Sequence, residues 1–421
     1  MTCLDCRVLL LRDQQIFFVF YRSVSRVWKT GGAVAEQKLK IAFVVDRFGG
    51  RFGGAEAYGV ELMRELARRH DVTVFAREYD GESGLRLPFV PVRTRKCLPS
   101  WLRVLLFANR ARRLTQSGFD IVHSHMNGWC GDVEVVHVTP VRYNWRIRRI
   151  SPVKRILSFL SPRVQTYLAL ENKRVRQRAG HRVVAVSALI AEQLKSAYGA
   201  DIDAYPVIVP GVVPATQLPH EQSQALRASL GWEKDDYVCL LVARNPQRKG
   251  LNTVLQALVQ LPAKVKLLVV GGNASTRDYI RRNAPSVADR VKTVDETSDV
   301  TPYYSCANAY VHPTLNDSFG MAPLEAMSYE LPVILSPSPW CGFAQYVTHN
   351  DDALVLSHPE NAQELAGFIE QLMASGELRM RLVEGSRKLV RQHSWSEVAH
   401  RYEALYAELL EERNGRVASS R

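Results

Sequence analysis

The stretch Lys40-Ile41-Ala42-Phe43-Val44-Val45, with the loop Gly49-Gly50-Arg51-Phe52-Gly53-Gly54 shortly after it, sets the class of fold. A short apolar run bounded by glycines is typical of a buried strand. Residues 56–69 follow with helical periodicity, and residues 72–76 again have the composition of a strand. A strand, a helix and a second strand in this order indicate a βαβ unit and a parallel sheet.

The same alternation runs through two successive parts of the chain. The first part predicts a further helix at residues 102–115 and further strands at residues 120–123, 133–138 and 182–186. The second part predicts helices at residues 250–260 and 323–328 and strands at residues 237–242, 266–271, 291–294, 309–312 and 333–335. We therefore expect an α/β protein with two parallel-sheet domains facing each other across a cleft.

Breaks in this alternation suggest the domain boundaries. Residues 1–39 have no strong periodicity and are expected to be a poorly ordered extension. A first domain is predicted at residues 40–206 and a second at residues 220–395. The linker is predicted at residues 207–219, because Pro206-Val207-Ile208-Val209-Pro210-Gly211 interrupts the pattern and two further prolines follow.

Length and composition limit the classes of protein to which the chain can belong. With 421 residues it is longer than one ordinary domain, and its 46% hydrophobic content excludes wholesale disorder. The net charge of +13 favours an anionic partner, such as a nucleotide, a nucleic acid or an acidic lipid. Seven scattered cysteines suit a reducing compartment, and zinc is not expected at Cys3 and Cys6 because no second pair lies nearby.

The apolar run at residues 16–21 is too short to span a bilayer. It does not resemble a signal peptide, because no small-residue cleavage site follows it cleanly. We expect a soluble or peripheral protein on the cytoplasmic side.

The stretch Asp317-Ser318-Phe319-Gly320-Met321-Ala322-Pro323-Leu324-Glu325 is the clearest candidate for a ligand site. It follows the predicted strand at residues 309–312 and opens a helix, whose first amides lack internal partners and attract anions. Gly320 lets the backbone approach a ligand closely. Glu325 can accept hydrogen bonds from the vicinal hydroxyls of a ribose or a sugar. An acidic loop residue followed by an ordinary helix glutamate is the alternative.

Two further loops lie at predicted strand ends, where ligands bind in parallel α/β sheets. The stretch Ala243-Arg244-Asn245-Pro246-Gln247-Arg248-Lys249 presents Arg244 and Lys249, which can stabilise the charge of a departing diphosphate. The glycine loop that ends in Gly53 and Gly54 can offer backbone amides to a phosphate or a sugar, although it matches neither the dinucleotide fingerprint nor the P-loop. A solvated basic turn and an ordinary glycine turn are the alternatives.

His123, His125 and His137 form another group of reactive residue types. His123 and His125 would share one face of a strand, but no defined third ligand accompanies them, so structural or substrate-contacting histidines are favoured over a metal site. His137 lies near the end of a predicted strand, where a cleft residue is expected. Asp201-Ile202-Asp203 has the spacing found in metal-dependent transferases, yet its place before the linker favours a surface turn. We predict no metal and no cofactor.

The segment from residue 142 to residue 182 is strongly basic, with twelve arginines and lysines against Glu171 alone. Apolar residues, among them Ile156, Leu157, Phe159 and Leu160, are interleaved with the cations. This mixture predicts docking on anionic lipid headgroups, at about 1 kcal/mol per basic residue near the surface. An RNA-binding patch and a solvated helix face are the alternatives. The residues assigned to the membrane or the acceptor are Arg142, Arg146, Arg148, Arg149, Lys154 and Arg155.

Together these motifs resemble the family 4 retaining glycosyltransferases of GT-B fold, which include lipopolysaccharide-core and phosphatidylinositol sugar transferases. The resemblance covers roughly residues 40–410, and its motifs occur in the order of the family. It implies two Rossmann-like domains, the first on the acceptor side and the second binding the nucleotide sugar. It also implies that a terminal helix, at residues 396–421, crosses back to the first domain.

The resemblance implies roles for individual residues. His137, Arg244, Lys249 and Asp317 would be catalytic, with His137 beside the donor sugar and the two cations on the diphosphate. Glu325 would hold the ribose hydroxyls. The other residues assigned to the donor are Gly53, Gly54, Phe319, Gly320 and Met321.

Two residues depart from the family pattern. Asp317 replaces the usual first glutamate, and Gln345 stands where a glutamate is common. These departures bear on the identity of the donor sugar more than on the class of reaction.

The predicted reaction transfers a hexose from UDP-hexose or GDP-hexose to a hydroxyl of a glycolipid, lipopolysaccharide or polysaccharide at the cytoplasmic face of the membrane. Retention of the anomeric configuration is expected without a metal. No pair of carboxylates supports the two-carboxylate scheme of hydrolases, so the departing diphosphate is expected to take the acceptor proton. The alternatives are a GT-B sugar-nucleotide epimerase, a glycogen-phosphorylase-like enzyme and a non-enzymatic basic nucleic-acid-binding protein, although no nucleic acid partner is expected.

Overall fold

The computed structural model describes residues 38–81, 84–95, 97–126, 128–176, 178–199, 205–297 and 299–419. The predictions for the amino-terminal extension, for Cys3 and Cys6, for the apolar run at residues 16–21 and for the Asp201-Ile202-Asp203 turn lie outside these ranges.

The first part of the described chain alternates strands and helices. Its elements are β1 (Lys40–Val44), β2 (Arg47–Phe48), α1 (Gly54–Leu66), β3 (Asp71–Ala76), β4 (Glu78–Tyr79), β5 (Phe89–Pro91), α2 (Ser100–Leu114), β6 (Ile121–Ser124), β7 (Val133–Val136), α3 (Pro152–Leu160), α4 (Pro162–Arg174), β8 (Arg182–Ala185) and α5 (Ala188–Tyr198). Six of these strands form a parallel sheet in the order β5-β3-β1-β6-β7-β8, and β2 pairs with β4. A π-helical turn, Tyr143–Ile147, precedes α3.

The second part repeats this plan. Its elements are α6 (His220–Ser229), β9 (Tyr237–Val242), α7 (Leu251–Gln260), β10 (Val265–Val270), α8 (Ala274–Asn283), β11 (Val291–Val294), α9 (Thr301–Cys306), β12 (Ala309–His312), α10 (Met321–Ser328), β13 (Val333–Leu335), β14 (Leu354–Val355), α11 (Ala362–Ala374), α12 (Gly376–Gln392) and α13 (Trp395–Ser419). Its six strands form a parallel sheet in the order β11-β10-β9-β12-β13-β14. The predicted α/β architecture with two Rossmann-like sheets is confirmed.

The second sheet is buried on both faces. Val238 and Leu240 of β9 belong to one hydrophobic core, while Cys239 and Leu241 belong to the core on the opposite face. Helices cover both faces of such parallel sheets, so their strands are continuous apolar runs. Each fully buried valine or leucine contributes about 1.5–3 kcal/mol relative to an exposed one. This burial explains why the strands were recognisable from composition alone.

Both sheets have the same topology. Counted along the chain, the strand order is 3-2-1-4-5-6 in each, so the order reverses between β1 and β6 and again between β9 and β12. Ligands of open α/β sheets bind outside the carboxyl ends of the strands at such a reversal. The loops that follow these four strands are therefore the places where a site is expected.

The differences from the predicted elements concern element ends, short strands and eight helices that were not predicted, namely α3, α4, α5, α6, α8, α9, α11 and α12. Strand β7 ends at Val136, so His137 lies just beyond it. Helix α10 begins at Met321, two residues earlier than predicted, because Pro323 fits in the first turn, where no amide donor is needed. The predicted linker is not solvated at its start: Ile208 and Val209 are buried, and the Ile208 amide donates to the Ala185 carbonyl at 3.0 Å. The domain boundaries given above stay predictions.

Two chain segments that join the two sheets lie side by side. The amide of Val212 donates to the carbonyl of His393 at 2.7 Å, and Val212 also forms a parallel bridge with Ser394. Helix α13 then runs along α1, where the hydroxyls of Tyr58 and Tyr402 are 2.9 Å apart. The terminal helix therefore lies against the first sheet and its helices.

No helix within the part of the chain that the structure describes is long and apolar enough to cross a bilayer.

Candidate active site

Lys249, Asp317 and His312 meet where the strand order of the second sheet reverses. The Asp317 side chain forms an ion pair with Lys249 through Oδ2, and His312 Nε2 lies 3.0 Å from the same oxygen. Lys249 comes from the loop after β9, whereas His312 ends β12 and Asp317 lies in the turn that follows it. His312 is fully buried, and the other two side chains are largely buried.

The environment fixes the charge of this cluster. Burial by itself would raise the pKa of Asp317, but the Lys249 charge and the His312 hydrogen bond hold that pKa below its ordinary value. Burial lowers the pKa of His312, so the imidazole is neutral near neutral pH. A neutral imidazole can bond a carboxylate only by donating, which places its proton on Nε2 and leaves Nδ1 as an acceptor for the Tyr310 hydroxyl at 3.4 Å.

The start of helix α10 presents unpaired amides. The backbone amides of Phe319, Gly320 and Met321 donate to no other group in the described ranges. Gly320 caps the helix with φ +108, and a side-chain carbon there would lie 3.0 Å from Cys341 Sγ and 3.2 Å from Phe343 Cβ. Only glycine takes this conformation without strain. The arrangement can bind an anion through the amides and the helix dipole.

The Phe319 side chain has a different role from its amide. It is buried, and its ring packs against Phe343 at 5.4 Å and Tyr346 at 5.7 Å between ring centroids. The contribution of Phe319 to a ligand is therefore limited to its backbone.

Glu325 is positioned by a tyrosine that the sequence did not indicate. The Tyr304 hydroxyl donates to Glu325 Oε2 at 3.0 Å, and the Tyr304 ring stacks on Tyr329 with centroids 4.9 Å apart. Burial raises the pKa of Glu325, and the Tyr304 hydrogen bond opposes this only in part. The carboxylate therefore lies in a fixed place with one oxygen engaged by Tyr304.

The glycine loop of the first domain lies beside Arg244 and Met321 of the second domain. A side-chain carbon at Gly53 would lie 3.6 Å from Arg244 Nη1, and one at Gly54 would lie 3.9 Å from Met321 Sδ. The Arg244 guanidinium also forms an ion pair with Glu296, which follows β11. The structure thus brings together Gly53, Gly54, Arg244 and Met321, which are far apart in sequence.

Polar contacts join the two sides of the cleft beside this site. The Ser187 hydroxyl, at the start of α5, donates to the Ser318 carbonyl at 2.6 Å. The Ala188 amide donates to the Tyr346 hydroxyl at 3.0 Å. Gln345, which stands where a glutamate was expected, donates through Nε2 to Glu192 at 3.3 Å. Residue 345 therefore contacts the opposite domain rather than the Lys249 cluster.

His137 belongs to a cluster of rings behind the glycine loop. Its ring centroid lies 4.9 Å from that of Tyr58 and 4.4 Å from that of His125. Burial, and next the charge of Arg174, lower the pKa of His137 to about 3, so its ring is neutral at physiological pH. His123 is fully buried and contacts Tyr406 Oη through Nδ1 and His125 through Nε2, which indicates a structural role for that histidine.

The basic segment divides into exposed and buried parts. Arg142, Arg148, Arg149 and Lys154 are exposed, while Arg146 and Arg155 are half-buried. Five apolar side chains of α3 are exposed beside them, namely Val153, Ile156, Leu157, Phe159 and Leu160. Arg142 and Arg146 also line a cavity of about 420 Å³ whose apolar lining includes Phe159 and Leu168.

Two cations of this segment are engaged within the protein and add little to its exposed charge. Arg174 is buried, pairs with Glu134 at 3.6 Å and donates to the Val135 carbonyl. Arg182 forms an ion pair with Glu412 of α13. The exposed charge of this segment is therefore smaller than the charge counted from the sequence.

Several residues that shape the site were not predicted. His312 and Tyr304 hold Asp317 and Glu325, Glu296 pairs with Arg244, and Ser187 joins the two domains. His312 ends a predicted strand at the reversal of strand order, a signal that could have found it. The other three offered no local signal, because their partners lie far away in sequence.

Two Rossmann-like domains that face each other across a cation-lined cleft form the GT-B architecture of glycosyltransferases. The model of the family described as Glycosyltransferase Family 4 matches residues 52–216, and that of Glycosyl transferases group 1 matches residues 222–389. Together the matches cover more than three quarters of the chain. The chain belongs to the family 4 glycosyltransferases of GT-B fold, as its motifs predict.

Individual relatives agree with this assignment. The D-inositol 3-phosphate glycosyltransferase of Xylanimonas cellulosilytica is 29% identical over 406 residues, which is 87% of this chain and 94% of that protein. The lipopolysaccharide glucosyltransferase WaaG of Escherichia coli is 22% identical over 353 residues, with 80% and 90% covered.

Solved structures share the fold. A crystal structure of WaaG matches with a TM-score of 0.72 at 18% identity, covering 87% of this chain and 99% of that one. A structure of Anabaena Alr3699/HepE in complex with UDP-glucose matches with a TM-score of 0.68 at 18% identity, covering 88% and 100%. The protein is a glycosyltransferase, and the epimerase, phosphorylase and nucleic-acid-binding alternatives are not favoured.

Proposed function

We propose that this glycosyltransferase moves a hexose from UDP-hexose or GDP-hexose to a hydroxyl of a glycolipid or saccharide acceptor, with retention and without a metal. The observation that carries the proposal is the meeting of Arg244, Lys249 and the amides of residues 319–321 at one cleft. Two cations and three unpaired amides suit a diphosphate, because they neutralise its charge from several sides. HepE was solved with UDP-glucose, which favours a uridine nucleotide among the donors to be tested first.

The remaining residues suit the other parts of such a donor. Glu325, on the second turn of α10, would accept hydrogen bonds from the ribose hydroxyls, and Asp317 would accept one from the hexose. His137 is neutral and would contact the hexose from the first domain without adding charge.

In the proposed reaction the bond between the anomeric carbon and the diphosphate breaks as the acceptor oxygen forms its bond on the same face. The acceptor proton passes to the departing phosphate oxygen, while Arg244 and Lys249 stabilise the charge that develops there. The positive groups of the protein take the part that a divalent cation has in other transferases. Full activity in the presence of EDTA would support this, and loss of activity restored by a divalent metal would contradict it.

The proposed donor is tested with a panel of UDP- and GDP-linked hexoses. Thermal stability is measured with UDP, GDP and RNA, and donor turnover is measured with a saccharide or lipid acceptor. We expect stabilisation by one nucleoside diphosphate and turnover of at least one matching donor. Stabilisation by RNA alone, with no turnover of any donor, would contradict the proposal.

The raised pKa of Glu325 predicts how nucleotide binding depends on pH. Because the pKa of Glu325 is raised, the carboxylate is protonated at a higher pH than an ordinary glutamate, and its ability to accept ribose hydrogen bonds is lost as the pH falls through that value. We expect the Kd of the bound nucleoside diphosphate to rise on going from pH 7 to pH 5. The phosphate also titrates in this range, so Glu325→Gln serves as the reference: its affinity is lower at pH 7 and falls less on acidification. Parallel pH curves for the two proteins would count against a contact with ribose.

We also propose that the acceptor is reached at an anionic membrane surface. Helix α3 exposes apolar side chains beside exposed cations, and long cationic side chains can bind headgroups while apolar ones enter the interface. The cavity lined by Arg142 and Arg146 would suit a phosphate headgroup.

Ile156→Glu is expected to weaken binding to vesicles that contain anionic lipid by about tenfold or more. The substitution replaces an apolar side chain that would enter the membrane interface with a carboxylate that the anionic headgroups repel. The matched control is Met380→Glu, because Ile156 is 63% exposed and Met380 is 70% exposed on α12 of the second domain. Vesicle co-sedimentation at two salt concentrations measures both variants. Equal binding by the two variants, or equal binding of the unaltered protein to neutral and anionic vesicles, would exclude the docking surface.

A further inference from the structure

His312 is a buried polar residue at the centre of the candidate site. It ends β12, its side chain has no solvent exposure, and both ring nitrogens lie near polar partners. Nε2 is 3.0 Å from Asp317 Oδ2, and Nδ1 is 3.4 Å from the Tyr310 hydroxyl. Burying an imidazole is unfavourable unless its hydrogen bonds are satisfied, so its presence in this core calls for an explanation.

The two oxygens of Asp317 are used differently. Oδ2 receives both Lys249 Nζ and His312 Nε2, whereas Oδ1 accepts no hydrogen bond from the residues that the structure describes. The backbone of Asp317 is also fixed, because its amide donates to the Trp340 carbonyl at 2.7 Å and its carbonyl accepts from the Gly342 amide at 3.1 Å. Rotation of the carboxylate is thus limited, because His312 and Lys249 both hold Oδ2.

A neutral imidazole suits this position better than a third charge. It donates one hydrogen bond to Asp317 without competing with Lys249 for the charge of the carboxylate. Lys249 has three N–H groups, of which one is engaged by Asp317 and two remain for a phosphate. The direction in which those two point depends on where Asp317 is held.

We propose that His312 is a positioning residue for sugar transfer: it fixes the Asp317 carboxylate so that Lys249 faces the donor diphosphate and Oδ1 faces the hexose. This inference rests on the proposed function of the same site. His312 itself touches neither the donor nor the acceptor, and its effect is exerted through Asp317.

Two amide substitutions separate this role from a merely structural one. In His312→Gln the amide nitrogen reaches the place of Nε2 and can still donate to Asp317, whereas in His312→Asn it reaches only the place of Nδ1. We expect His312→Asn to lower kcat by about 10- to 100-fold, because a small displacement of a positioned charge has effects of this size. The affinity for UDP is expected to fall only about threefold, since the contact matters most as charge develops. His312→Gln is expected to recover most of the lost kcat.

The dependence of kcat on pH gives a second test of this role. The titratable groups that face Asp317 are Lys249, His312, Tyr310 and Cys341. Burial raises the pKa of Tyr310 well above its ordinary value and that of the Cys341 thiol to about 12, so neither group titrates in the acid range. Losing the His312 hydrogen bond raises the pKa of Asp317, but Lys249 still holds this carboxyl ionised near neutral pH, so the loss of kcat in His312→Asn is expected to be the same at neutral and at mildly alkaline pH.

The control is His181→Asn, which makes the same change at another buried histidine. His181 lies just before β8, and neither of its ring nitrogens has a hydrogen-bond partner among the described residues. Melting temperature is measured for all three variants, and we expect His181→Asn to leave kcat unchanged.

The outcomes are distinct. Equal kcat in the Asn and Gln variants at position 312, or a kcat of His312→Asn that returns to the unaltered value at mildly alkaline pH, would overturn the positioning role. If the unaltered protein transfers no hexose, the proposed function fails, and UDP affinity then decides the inference: unchanged affinity in His312→Asn refutes it, and weakened affinity restored in His312→Gln supports it.

Discussion

Replacing Lys249 with alanine is expected to lower the rate of sugar transfer by about 100- to 1,000-fold. Removing one positioned donor from a developing negative charge has this effect in enzymes that stabilise oxyanions. The loss here has two parts, because Lys249 contributes its own charge and also neutralises Asp317. Without Lys249, the ionised Asp317 would repel the diphosphate of the proposed donor. The measurement is kcat with the best donor of the nucleotide-sugar panel.

Lys266→Ala is the matched control for this variant. Lys266 also pairs with a buried aspartate, since its Nζ lies 3.6 Å from Asp236 Oδ1. It stands at the amino end of β10, however, and therefore at the opposite end of the parallel strands from Lys249. Its removal should leave kcat within about twofold of the unaltered value, since a partly exposed ion pair contributes only about 0–1 kcal/mol to stability. Turnover by Lys249→Ala at the rate of Lys266→Ala would remove Lys249 from the site.

Gly250→Ala is expected to lower the free energy of unfolding by about 3 kcal/mol or more. Gly250 has φ +90, a conformation that costs roughly 1–2 kcal/mol for other residues. A side-chain carbon would in addition lie 1.9 Å from the Pro313 carbonyl oxygen, so the backbone after β12 would have to move. Because Gly250 follows Lys249 directly, this movement would also displace the Lys249 side chain from Asp317.

The control for the glycine is Gly231→Ala. Gly231 has φ +76, but no atom lies within 4 Å of the place its side-chain carbon would take. This variant carries the conformational strain without the clash, so it is expected to lose only about 1 kcal/mol. Denaturant midpoints measure both variants, and equal shifts would show that the contact between Gly250 and Pro313 has no energetic consequence.

The sequence was sufficient for most of the fold because both sheets are covered on both faces. Strand β9 is an unbroken apolar run, and the predicted bounds of β9 and β12 agree with the structure. Strands β5 and β14 were missed, since two or three residues are too few for a pattern to develop. The helical segment α3 was also missed, although Val153, Ile156, Leu157 and Leu160 recur at the spacing of an amphipathic helix.

The candidate site was predictable to the extent that it lies at strand ends. Arg244, Lys249 and Asp317 follow β9 and β12, where a reversal of strand order collects ligands in any sheet of this kind. The supporting residues were not predictable, because their roles depend on partners from other elements. In the sequence, nothing distinguishes Tyr304 from other aromatic residues of a helix. Only the placement of α9 brings its hydroxyl to 3.0 Å from Glu325.

In the basic segment, residues 142–182, the sequence overstated the exposed charge. Charge can be counted from a sequence, but pairing cannot. Arg174 and Arg182 were counted as part of a docking face, yet their acidic partners lie in β7 and in α13. A count of cations is therefore an upper bound on the charge available to a membrane.

The hydrogen bond between Val212 and His393 has a consequence for motion. Because the two connecting segments are bonded to each other, they cannot shift independently where the chain passes between the two domains. A rotation of the domains about these segments keeps that bond, whereas a sliding movement would break it. Donor-bound and donor-free forms should then be related by a single rotation whose axis passes close to residues 212 and 394.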